Sequence, residues 1–100
     1  MFVVSKDKKC ILNADNINDI HLGRDGYNIK VEYTSGKGCQ IGRYENEKQA
    51  IAALEILIKR MENNLICLVP DDNEVKAYIS LEQTKWHHAT GKKTKGHGGS

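Results

Sequence analysis

Between residues 27 and 34 the chain alternates. Tyr27, Ile29, Val31 and Tyr33 fall on one side; Asn28, Lys30, Glu32 and Thr34 fall on the other. A period of two sends successive side chains to opposite faces of a sheet, so this stretch predicts a strand with one buried face. Turn-forming runs bracket it. Gly23-Arg24-Asp25-Gly26 predicts a hairpin loop, and Ser35-Gly36-Lys37-Gly38 turns the chain into a further strand over residues 39–44. Upstream, the apolar runs 2–5 and 10–12 flank the polar turn Lys6-Asp7-Lys8-Lys9. Asn13-Ala14-Asp15-Asn16 makes a second turn, and residues 17–22 read as a strand. The first 44 residues therefore predict a meander of short strands.

The period then changes. Ala50, Ile51, Leu54, Leu57, Ile58 and Met61 recur at helical spacing and predict one apolar face. Asn46 with Gln49 has the form of a capping box, and Glu45 and Glu47 sit where the helix dipole favours acids. Lys59 and Arg60 suit the opposite end, and Asn63-Asn64 stops the helix. Ile56 lies off the stripe and reads either as a side contact within the domain or as part of a subunit interface. Residues 65–69 form an apolar run suited to a last strand, which Pro70 ends. Asp71-Asp72-Asn73 offers N-caps for a short helix carrying Val75, Tyr78, Ile79, Glu82 and Trp86 at helical intervals. Residues 75–81 also alternate, so a strand there is the competing assignment. The expected class is α+β: an antiparallel β-sheet meander packed against one main α-helix, with a short C-terminal helix and a basic tail. Residues 1–88 are expected to form a single α+β domain. Residues 89–100 form a basic Gly/Lys-rich segment.

Length and charge sharpen this picture. One hundred residues make one small domain with a marginal core, for which oligomerisation is a reasonable source of further burial. The formal charge of +2 is unevenly placed. Residues 1–82 hold 11 basic and 13 acidic side chains, whereas residues 83–100 hold four lysines and no acid. A local positive segment suits a compact anion at least as well as a long duplex. Cys10, Cys39 and Cys67 form no CxxC spacing, and their odd number predicts reduced thiols and a cytoplasmic setting rather than zinc ligands. Met1-Phe2-Val3-Val4 is too short for a signal sequence, and no apolar run approaches the ~20 residues of a membrane helix.

The chemistry is concentrated at residues 91–100. Gly91 and Gly96 have the glycine spacing of a phosphate loop, but His97 and Gly98 stand where Lys and Ser or Thr are required. The segment is therefore not a Walker A site, which disfavours nucleotide hydrolysis. His87 and His88 are adjacent and do not share a helix face, which disfavours a metal site. With no nucleophile motif, the expectation is binding without catalysis, cofactor or metal. Candidate ligand contacts are His88, Thr90, Gly91, Lys92, Lys93, Thr94, Lys95, Gly96 and His97. Their ammonium groups, hydroxyls and glycine N–H groups suit phosphate, and the segment is expected to close as a lid. Trp86 either caps the core or stacks on a base. Arg43 is either solvated or engages phosphate through its planar fork.

Met1-Phe2-Val3-Val4-Ser5-Lys6-Asp7-Lys8, Asn13-Ala14-Asp15-Asn16, Gly38-Cys39-Gln40-Ile41-Gly42-Arg43-Tyr44 and residues 89–100 together resemble the first Thoeris anti-defense family, small phage proteins that act as molecular sponges. The resemblance spans nearly the whole chain and rests on its layout and terminal segment. It implies an antiparallel sheet followed by helices, assembled as a homo-oligomer, a dimer or a hexamer. It also implies non-hydrolytic capture of cyclic ADP-ribose isomers, and in some members of cyclic oligonucleotides, in the cytoplasm of an infected bacterium. In such sponges the ligand lies between subunits under C-terminal basic residues. His88 and Lys93 match those positions, with Lys92, Lys95 and His97 nearby. Arginines would be expected there, and lysine and histidine lack their bidentate geometry. Two other classes remain: a regulator that binds a protein partner through its sheet or helix, and a nucleic-acid binder using the tail. The slightly acidic body disfavours the latter.

Overall fold

The computed structural model describes the backbone of residues 1–93 and the side chains of residues 1–83. The elements are β1 (Phe2–Val4), β2 (Ile11–Asn13), a 3-10 turn (Ala14–Asn16), β3 (Ile17–Leu22), β4 (Asn28–Tyr33), β5 (Gly38–Arg43), α1 (Glu47–Asn63), β6 (Ile66–Leu68) and α2 (Asp72–Lys93). The class is α+β, as the pattern predicts. The strands form two three-stranded sheets, ordered β2-β1-β6 and β3-β4-β5.

The second sheet is the antiparallel meander, with Ile20 opposite Val31 and Ile29 opposite Gly42. Gly26 (φ 79°) and Gly36 (φ 92°) take the left-handed backbone that its two hairpin turns require. The first sheet holds a pairing the periodicity does not reveal. β1 runs antiparallel to β2 but parallel to β6, with Val3 flanked by Leu12 and Cys67. A parallel partner needs a long crossover, and α1 lies within it. The backbone N–H of Lys6 donates to the Ile41 carbonyl at 2.8 Å and ties the end of β1 to β5. One core serves both sheets: Val3, Ile29, Val31, Leu57, Cys67 and Val75 are all buried in it.

Helix α1 begins as its sequence predicts. Asn46 Oδ1 accepts from the Gln49 amide at 2.9 Å, and Gln49 Oε1 accepts from the Glu45 amide at 3.2 Å, one residue earlier than in the usual box. Asn64 closes the far end, its amide and its side chain both donating to the Arg60 carbonyl. The buried face, however, is rotated from the expected stripe. Gln49, Ala50, Ala52, Ala53, Ile56 and Leu57 are buried, whereas Ile51 and Ile58 are exposed. The rotation follows from α2. Ala52, Glu55, Ile56 and Lys59 share one stripe, and Glu55 and Lys59 both hydrogen-bond the Tyr78 hydroxyl on α2. Ile56 is thereby covered within the chain.

Helix α2 starts with a reciprocal capping box. Asp71 Oδ1 accepts from the Glu74 amide at 2.8 Å, and Glu74 Oε1 accepts from the Asp71 amide at 3.1 Å. Glu74 also pairs with Arg60. Val75 is fully buried, and Tyr78 and Ile79 pack against the core. The helix takes in residues 89–93 of the basic segment. Among the described residues, no helix is long and apolar enough to cross a membrane.

The outer faces of the two sheets differ. On β3-β4-β5 the exposed positions include His21, Lys30 and Gln40, which are cross-strand neighbours. On β2-β1-β6 they are Phe2, Ile11, Asn13, Ile66 and Leu68.

Candidate functional site

The two sheets meet at a groove of about 410 Å³. Ser5, Lys6, Asp7, Lys9 and Cys10 of the β1–β2 turn line one side, and Gln40, Ile41, Gly42 and Arg43 of β5 line the other. The turn is held by its own polar groups. Ser5 Oγ donates to Asp7 Oδ1 at 2.7 Å and accepts from the Cys10 amide at 3.1 Å. Asp7 Oδ1 also accepts from the Lys9 amide at 2.9 Å. These bonds, that from Ser5 foremost, hold the Asp7 carboxyl below its ordinary range. Lys8 turns the chain with φ 62°.

Lys6 is the junction. Its ammonium donates to the Arg43 carbonyl at 2.5 Å and to Asp72 Oδ1 at 2.7 Å, and sits 4.3 Å from the centre of the Tyr44 ring. One side chain thus joins the β1–β2 turn, the end of β5 and the start of α2. Below it the Tyr44 hydroxyl donates to the Pro70 carbonyl at 2.7 Å. Burial pushes that phenol above its ordinary pKa. Gln40 Oε1 accepts from Asn28 Nδ2 at 2.9 Å, which fixes its amide at the groove wall.

Arg43 is the only predicted site residue whose side chain is described. It lies in the groove, half exposed, with Nη1 donating to Asp25 Oδ2 at 3.0 Å and its guanidinium 5.9 Å from the Tyr27 ring. The Tyr27 amide and then Arg43 hold Asp25 below its ordinary range. The Lys9 ammonium makes no side-chain hydrogen bond or ion pair among the described residues, although its charge helps to hold the Asp7 carboxyl down. Among the described residues the groove therefore carries Lys6 and Arg43, each ion-paired, Lys9 with no ion pair of its own, and the acid Asp7. An anion entering it would meet Lys9 directly and would share Arg43 with Asp25.

Trp86, His88, Thr90, Gly91, Lys92 and Lys93 lie on α2 by backbone, and their side chains fall outside the described residues. Thr94, Lys95, Gly96 and His97 lie outside them altogether. Nothing in the sequence marks Ser5, Lys6, Lys9 and Gln40 as site residues. Residues 6–9 carry only a turn signal, and Gln40 carries only the pattern of its strand. Among the described residues no group of His, Cys, Asp and Glu could hold a metal ion.

A second polar contact lies in the meander. The Tyr33 hydroxyl is 3.0 Å from Cys39 Sγ. That hydrogen bond, together with desolvation, pushes the Tyr33 phenol up to about 12. Compared with known proteins, the chain matches no family model, no curated protein and no solved structure.

Proposed function

We propose that the protein is a phage anti-defense sponge that binds cyclic ADP-ribose-type signals, and by the same chemistry cyclic oligonucleotides, without cleaving them. The observation that carries this reading is the groove at the sheet junction. Its volume of about 410 Å³ lies within the range of small-molecule sites. Lys9 and Arg43 would take a phosphate, the Gln40 amide would meet ribose hydroxyls, and Lys6 would hold the wall rigid. At 1.5 Å per residue α2 carries Trp86 about 20 Å from its start beside the groove, so lysine charge and Trp86 stacking would reach the ligand from a second copy of the chain. The groove lining holds no pair of carboxylates, and Asp7, the carboxylate beside Ser5, is held below its ordinary range and is a weak base, which supports capture over hydrolysis.

The test is calorimetric titration of the full chain with cyclic ADP-ribose isomers, followed by heat release and chromatography of the bound fraction. Micromolar or tighter binding with intact nucleotide recovered is expected. No heat of binding at micromolar protein, or recovery of a cleaved product, overturns the proposal. The alternative of a protein-binding regulator draws on a different observation, the apolar outer face of the β2-β1-β6 sheet.

A further inference from the structure

We infer that the outer face of the β2-β1-β6 sheet is a self-association surface, covered by the same face of a second copy of the chain. The register makes the face continuous. Val3, Leu12 and Cys67 point into the core, so their neighbours point out. Phe2 lies opposite Ile66, and Val4 lies between Ile11 and Leu68. Phe2 is 45% exposed, Ile11 69%, Ile66 63% and Leu68 44%. Among the described residues the only polar side chain on the face is Asn13 at its edge, and its Oδ1 is held by the Asp15 amide. A sheet with one solvated face normally alternates apolar inside and polar outside. The β3-β4-β5 sheet of the same chain does so, with His21, Lys30 and Gln40 outward.

The size of the patch fits a dimer. These side chains leave on the order of 400 Å² of apolar surface, the size of the largest patch on a monomer, which is often functional. Leu65, 80% exposed at the start of β6, extends it. A stable interface buries about 800 Å² per partner, about two-thirds of it apolar when the partners are identical. The chemistry fits a second copy. A face without charge, whose one amide lies at its edge, offers little to select a foreign partner, but it complements itself across a two-fold axis. The lysines and glycines of residues 89–100 do not match it. Arg60 Nη1 donates to the Leu68 carbonyl at 2.7 Å, occupying an acceptor on the β6 edge and directing association to the face. Two such sheets would pack about 10 Å apart and give a small chain a second core.

This inference does not depend on the ligand proposal, and its test uses no ligand. Light scattering on the full chain from about 1 to about 100 µM should give twice the monomer mass of 11.2 kDa. Ile66→Lys and Ile11→Lys should each weaken the dimer at least ~30-fold. Ile58→Lys, on the exposed face of α1, should leave it intact. Circular dichroism melts confirm folding, and Ile11→Thr, which keeps β-branching, serves if a lysine variant misfolds. A wild-type monomer throughout overturns the inference. So does a dimer that survives every face variant, or one that Ile58→Lys abolishes.

Discussion

The two sheets share one core yet present opposite surfaces to their surroundings. Val3 and Cys67 from one, and Ile29 and Val31 from the other, pack in the same cluster around Leu57. Outside, the meander shows polar and charged side chains, while β2-β1-β6 shows isoleucine, leucine and phenylalanine. Burial on the inner faces is what folding demands, so it says little about function. The outer faces are free of that demand, and their difference separates a solvated polar surface from the apolar one that we propose a second copy covers. The groove lies where the two sheets meet and takes its cations from both.

The most damaging test of this comparison is Leu57→Ala. Leu57 is fully buried where the two sheets converge, so the substitution should cost about 3 kcal/mol in urea denaturation. It should leave a single cooperative transition. Two transitions would show that the sheets unfold separately and have no common core. Next in size is the contrast between outer faces. Ile66→Lys should convert the dimer to monomer in light scattering, whereas Lys30→Ala on the meander should leave its mass unchanged.

The groove should respond by about tenfold. Lys9→Ala and Arg43→Ala should each weaken capture of a cyclic ADP-ribose isomer by about that factor in calorimetry. Asp25→Asn should strengthen it by releasing Arg43. The cap of α2 carries a smaller effect. Asp71→Ala removes one half of a reciprocal box and should cost about 1 kcal/mol of stability, read from a thermal melt.

The smallest effects are in pH. Asp7 and Asp25 are held below 3.8 in the fold, so the unfolded chain takes up protons first as acid is added. Their contribution is present above that value and is lost as pH falls through their folded pKa. Asp7→Asn should flatten the acid limb of the melting curve. Tyr33 behaves in the opposite sense. Its phenol is raised from 10.0 to about 12, so its contribution is full below 10.0 and fades as pH rises towards 12. Spectrophotometric titration of Cys39→Ala should bring Tyr33 back towards its ordinary value.

Much of this fold is legible locally. The alternation over residues 27–34, the glycine turns and the Asn46 cap each concern neighbours in sequence, and each appears where its pattern places it. Long-range partners are another matter. The β1–β6 pairing joins residues more than sixty positions apart, and a strand of three residues carries no label for its partner. Ile51 and Ile58 are as apolar as Leu57, yet only the position of α2 decides which arc of α1 is buried. Lys6, a turn residue in the sequence, becomes the link between three elements only because Arg43 and Asp72 arrive beside it. The α+β class, the hairpins, the helix starts and the concentration of positive charge beyond residue 82 are all readable from the order of residues, because these depend on local geometry and composition. The tertiary structure decided the two-sheet arrangement, the groove and the apolar outer face, because each requires distant segments to be brought into register.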